Sequence, residues 1–352
     1  MQSADLGSRE RGLLWHRRAA PAADGSVLRV LRSVEGSHSR TVRFLHAAFD
    51  STGEAFVAGD HQGHVYLLDL TRNSFRLVQR TGLACTALAF CLRRRSEFLV
   101  ALSDYSIKCF DAETSELVSW MRGHNSAVSC ISVHASGRLA LTTSGDTAQL
   151  WDLDTFQRRR RLGLRNNDAV QKVFFLPMSN TIVSCFKDGS VFGWDGESLE
   201  CRFQLPVPPT SARLAYRVFA ATRDGRTLAC GGRSGCVHVW ALESRRLVSV
   251  LQMPPAVRAV RQLHYLSDAF DGGANQVLGV LAQDGVARFV HVGTTQLLFS
   301  LGSGSGSGDG ALSSLVVCPA GRNVLGLGED GAMTLYSVAA LTHALKKPCC
   351  MH

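Results

Sequence analysis

His61 and His64 stand three residues apart in the turn-like stretch DHQGH, close enough to form half of a metal site. A zinc site at this pair would need two further ligands, and none follows at a matching spacing, so no metal is assigned there. Cys349, Cys350 and His352 make a second group of soft donors at the chain end, where Cys349 formally opens a C-a-a-X ending behind Lys346 and Lys347. Histidine is a poor last residue for prenylation, and that segment reads as an unstructured end. The 11 cysteines include no C-x-x-C pair, and most sit in apolar runs, where a thiol acts as a small hydrophobe. Cys230 and Cys236 could face one another across a hairpin and bridge in an oxidising compartment. Arg93-Arg94-Arg95-Ser96 has the form of a basophilic kinase site, which makes Ser96 a candidate phosphosite. There is no H-E-x-x-H, no G-x-S-x-G and no phosphate-binding Gly-rich loop ending in Gly-Lys-Ser/Thr. No catalytic residue and no cofactor site is therefore assigned, and the expectation is a protein without chemistry of its own.

The formal net charge of +9 comes mostly from arginine, in runs at Arg17-Arg18, Arg93 to Arg95, Arg158 to Arg161 and Arg245-Arg246. Nucleic-acid binding needs several cations on one surface, and runs this far apart in turns and strand edges do not supply one. A nucleic-acid-binding chain using scattered arginines is the alternative reading. With 33 glycines against 9 prolines, 45% apolar and 19% charged residues, the composition is that of a globular chain rich in tight turns. No stretch approaches the roughly 18 apolar residues of a membrane span, and the N-terminus lacks a signal-peptide core, so a soluble cytoplasmic protein is expected.

The elements that must position these residues appear as a repeat. A bulky residue recurs six positions after the start of each of seven turns, at Leu68, Phe110, Trp151, Trp194, Trp240, Val290 and Tyr336. A spacing of 40 to 50 residues with strand, turn, strand, turn, strand in every unit is the signature of an all-β propeller with one four-stranded sheet per blade. Seven blades are expected over residues 26–337. The seventh shows only three strands of its own, at 313–318, 323–327 and 332–337, so residues 26–32 (SVLRVLR) are expected to supply its outermost strand and remove two exposed edges. Residues 1–25 read as an N-terminal extension. Residues 338–352 read as a tail, with Val338, Leu341 and Leu345 at helical spacing. DAFDGGANQ (268–276) lengthens a turn in repeat six, and GSGSGSGDG (302–310) is a flexible connector between repeats six and seven.

Two repeats end in Trp-Asp, at Trp151-Asp152 and Trp194-Asp195, and Gly123-His124 precedes the first by one repeat's span. The chain thus resembles the WD40 family. The resemblance implies a hydrogen-bonded chain of His, Ser or Thr, Asp and Trp within a blade, carried here by His124, Thr143, Asp146 and Trp151. Asp146 departs from the pattern, lying five residues before Trp151 where the family has six. Longer runs, DYSIKCFDAETSELVSWMRGH (104–124), DTAQLWDLDTFQR (146–158) and QKVFFLP (171–177), resemble the N-terminal propeller of a family of TBC-domain proteins. That resemblance implies a molecular adapter in centrosome and centriolar-satellite organisation and cilium biogenesis, located at the centrosome, satellites and ciliary basal body, with centrosomal or ciliary proteins as partners. The GTPase-activating domain of that family has no matching positions here, and its activity is not carried over. In a propeller the first strands of the blades start near one mouth of the central channel. Aligning them on their turns places Lys172, Arg217 and Arg258 of blades four, five and six on one face, a candidate docking site for an acidic peptide.

Overall fold

The computed structural model describes the backbone of residues 12–19 and 26–34, and residues 43–72, 74–145, 147–164, 170–206, 216–267, 270–302 and 310–337 in full. Its described residues form strands and turns only, arranged as seven antiparallel sheets. Blade one runs through Phe44–Phe49, Ala55–Asp60, His64–Asp69 and Ser74–Arg80, each strand paired with the next. Blades two to six repeat that meander. The second and third strands are the most buried. Glu97–Leu102 and Val277–Ala282 are buried throughout, while the outer strand Arg158–Arg161 is exposed throughout. Burial peaks in the middle strands, which neighbouring blades cover on both faces, and falls off in the first strand and in the outer one.

All seven bulky anchors are buried. They sit in the third strand of each blade and feed seven apolar clusters, one at each seam between blades. Phe98 and Phe110 of blade two pack with Val57 and Val65 of blade one, and Trp151 of blade three packs with Leu99 and Ile107 of blade two. The ring closes where Leu325, Leu327, Met333 and Leu335 of blade seven meet Phe44, Phe56 and Tyr66 of blade one.

The turn between third and outer strands is also repeated. Asp69, Asp111, Asp152 and Asp195 each follow an anchor directly, and each accepts two backbone N–H groups from the turn through Oδ1. The fifth residue of this turn adopts positive φ at Ser115, Phe156, Leu199, Arg245 and Thr295. The aspartate compensates backbone donors that such a turn would otherwise leave unpaired. Backbone N–H bonds from Ser198 and Glu197, followed by Arg202, pull the Asp195 carboxyl down to about 2.

Blade seven has Leu312–Val317, Asn323–Gly328 and Met333–Ser337, and Ser26–Val34 lies antiparallel on the last of these, Leu28 opposite Leu335 and Val30 opposite Met333. A fifth strand, Gly12–Ala19, pairs outside it, within the segment read from sequence as an extension. The hairpin containing Cys230 and Cys236 sets Cys230 opposite His238 and Cys236 opposite Gln252, so the two thiols do not meet. The tail helix, the C-terminal cysteine pair and His352 lie outside the described residues, as do residues 303–309 of the Gly-Ser connector and 268–269 of the repeat-six insertion. Among the described residues no helix is long and apolar enough to cross a membrane.

Candidate functional site: the blade-three network and the channel mouth

In blade three the indole Nε1 of Trp151 donates to Thr142 Oγ1 at 2.8 Å, and Thr142 Oγ1 lies 2.7 Å from His124 Nε2. Indole can only donate, so the threonine hydroxyl accepts from it and donates its own hydrogen bond to Nε2. The histidine proton then sits on Nδ1, 3.0 Å from Ser144 Oγ. All four side chains are buried. The sequence expectation placed Thr143 in this chain. Alternation along the strand puts Thr142 and Ser144 on the Trp151 side and Thr143 on the other. There Thr143 Oγ1 accepts from Val173 N at 3.0 Å and approaches Val173 O at 3.3 Å, tying blade three to blade four. Asp146 lies outside the described residues. Blade five builds a different polar contact, with Tyr216 Oη 2.6 Å from His238 Nδ1.

The paired histidines of blade one do not converge on a shared ligand position. His64 is buried with Nδ1 3.0 Å from Asp60 Oδ2, while His61 is exposed with Nδ1 3.3 Å from Arg43 N. Ser96 is half-buried, and its hydroxyl donates to Asp111 Oδ2 at 3.0 Å. The arginine runs stay apart, and several are paired: Arg93 with Asp154, Arg94 with Glu97 and Arg159 with Asp152.

The innermost strands surround a central cavity of 1130 Å³. Each has a bulge that skips its second residue, seen as a register break between Val170 and Lys172, Tyr216 and Val218, and Val260 and Gln262. The bulge is shared by all seven, so it fixes which residues are equivalent. Gln171, Arg217 and Arg261 occupy the skipped position in blades four to six, and Lys172, Val218 and Gln262 the next. All six line the cavity. Arg258 does not. It is exposed in the loop before the blade-six strand, and Arg261 is the cation that takes its place. The bulge position, not the turn before the strand, sets the register of the inner strands.

Lys172 Nζ lies 5.6 Å from the Phe174 ring centre. Arg217 is exposed, and Arg261 meets Glu329 of blade seven at 3.2 Å. Gln262 links blades six and seven by accepting from Leu315 N at 2.8 Å and donating to Ser314 Oγ at 3.0 Å. His264 also lines the cavity, with Nε2 shielded and without a hydrogen-bond partner. Burial, followed by the nearby Lys172 charge, lowers its pKa to about 4. His264 is therefore neutral at pH 7. The wall presents fixed cations, suited to holding anionic groups, while the shielded His264 nitrogen adds no charge to it.

Seven four-stranded blades with buried third-strand anchors define a β-propeller, and residues 115–152 match the family model "WD domain, G-beta repeat". The chain thus carries a WD40 repeat within a seven-bladed β-propeller. Over 349 residues, 99% of its length, it is 57% identical to "TBC1 domain family member 31" of Homo sapiens and 54% identical to that of Xenopus tropicalis, matching the N-terminal region of those proteins. It spans about a third of their length (32% of each). A shorter likeness, 29% over 124 residues, covers 35% of this chain and 19% of "Cilia- and flagella-associated protein 52" of Chlamydomonas reinhardtii.

Proposed function

We propose that this propeller is a protein-binding adapter that receives acidic segments of its partners at the channel mouth. The observation carrying this reading is the basic sector formed by Lys172, Arg217 and Arg261 in three consecutive blades, in which Arg261 also meets Glu329. Such charges steer association and fix register more than they add affinity. The strong likeness to TBC1 domain family member 31 supports carrying over the setting that the resemblance implies: cytoplasm, centrosome, centriolar satellites and the ciliary basal body, with a role in cilium biogenesis. No Rab-directed activity forms part of the proposal, because the propeller supplies no counterpart of a TBC domain.

The test replaces Lys172, Arg217 and Arg261 together by glutamate and compares proximity labelling in ciliated cells and capture in pull-downs with the parent chain. Capture should fall at least tenfold while the melting temperature holds. Arg258→Glu, outside the cavity wall, should change capture far less. Unchanged capture by a folded triple variant would place the partner surface elsewhere.

A further inference from the structure

We infer that Cys91, Glu97 and Cys109 form a buried site for one soft divalent cation of the zinc type. The two sulfurs and a carboxylate oxygen lie within 4.8 Å of one another, and all three residues are buried. They come from three neighbouring strands of blade two. Cys91 continues the first strand by one residue, its N–H donating to Glu97 O at 2.9 Å. Glu97 opens the second strand opposite Asp111, and Cys109 lies opposite Leu99. Directly opposed residues, and residues two apart, leave a sheet on the same face, so the three side chains all point toward blade three. There Ala87, Leu99, Leu153 and Phe156 surround them with apolar atoms.

This arrangement is built for a shared ligand rather than for a disulfide. The cysteines sit on strands with another strand between them, about 9–10 Å apart by strand spacing. A disulfide needs Cα atoms roughly 4.4–6.8 Å apart. The thiols instead converge on the carboxylate of the intervening strand, with Cys109 Sγ 4.0 Å from Glu97 Oε2. Zinc–sulfur bonds of about 2.3 Å and zinc–oxygen bonds of about 2.0–2.2 Å place donor atoms roughly 3.5–3.8 Å apart, within reach of small side-chain rotations. Two sulfurs in the set select against magnesium and calcium.

The charges also balance. Two thiolates and a carboxylate around a divalent cation leave one negative charge, and Arg94 Nη1 stands 3.0 Å from Glu97 Oε1 to neutralise it. The same contact orients the carboxylate, as partners behind metal ligands do. On binding, each thiol releases its proton to solvent as its metal–sulfur bond forms, and Glu97 binds as the carboxylate. The cation would clip the first three strands together at the base of the Leu92–Ser96 loop.

The test titrates Cd²⁺ into the full chain under a non-thiol reductant and follows the ultraviolet thiolate-to-metal charge-transfer band and the melting temperature. One tight equivalent, displaced by Zn²⁺ and raising the melting temperature, is expected. Cys91→Ser/Cys109→Ser should lose that equivalent and Cys349→Ser/Cys350→Ser should keep it. Glu97→Gln should retain the band and weaken binding by about tenfold or more. The assignment is overturned by a parent chain that shows no tight equivalent. It is equally overturned by a Glu97→Gln chain that binds as tightly as the parent, or by a folded Cys91→Ser/Cys109→Ser chain that still binds it.

Discussion

Blade three and blade seven are closed by opposite means. Blade three is one uninterrupted stretch of chain, and its strands are pinned from within by Trp151, Thr142, His124 and Ser144. Blade seven has three strands from one end of the chain and takes its next two from the other, with Leu28 opposite Leu335. In the first case stability resides in local spacing and side-chain chemistry. In the second it resides in a backbone ladder between segments far apart in sequence. The ring depends on both, because each blade is covered by its neighbours.

Removing residues 1–34 should have the largest effect. It strips the outer ladder from Met333–Ser337, beside the cluster that joins blade seven to blade one. A loss of several kcal/mol or of cooperative unfolding is expected, read by calorimetry; a truncated chain melting cooperatively at the parent temperature would erase the contrast between the blades. Next comes acid. His264, beside blade seven, has a folded pKa of about 4 against 6.5 for the free group, so the unfolded chain binds a proton that the folded one does not. Its contribution is complete above pH 6.5 and is lost as pH falls to about 4, on the order of 3 kcal/mol. His264→Asn should flatten that part of a denaturation-versus-pH profile. An equally steep profile in the variant would assign the acid sensitivity to other groups.

Within blade three, Thr142→Val should cost about 1–3 kcal/mol in urea unfolding, since Trp151 and His124 both lose a buried partner. Thr143→Val should cost less and act on the seam with blade four. The reverse order would show that the polar chain runs through Thr143. The smallest expected change is a gain. Tyr105, at φ 70, occupies the turn position where blades one, four, six and seven have Gly63, Gly189, Gly285 and Gly331 at positive φ. A non-glycine residue there costs about 1–2 kcal/mol, partly offset by glycine's greater entropy loss, so Tyr105→Gly should raise stability by roughly 0.5–1 kcal/mol.

These differences also explain what could be read in the sequence. The seven anchors were legible because each lies at a fixed distance from a turn, and turn chemistry and strand alternation are both local. The choice between Thr142 and Thr143 was not, because adjacent strand residues differ only in the face they take, and the family pattern does not count that parity. Arg261 was passed over for Arg258 because an inner-strand bulge leaves no mark in residue type. The strand Gly12–Ala19 was missed because Arg17 and Arg18 break its apolar character, and its pairing partner is only fixed once Ser26–Val34 is in place. Cys91, Glu97 and Cys109 carry no motif, since their meeting depends on three strands aligning in register.

The borrowed strand of blade seven imposes an order on synthesis. Residues near 28 leave the ribosome about three hundred positions before their partners near 335. At roughly 5–20 residues per second, the emerging N-terminal strand waits on the order of 15–60 s for its ladder. Throughout that interval the nascent chain carries an unpaired edge strand, and it is in this window, more than in the finished ring, that a chaperone would find something to hold.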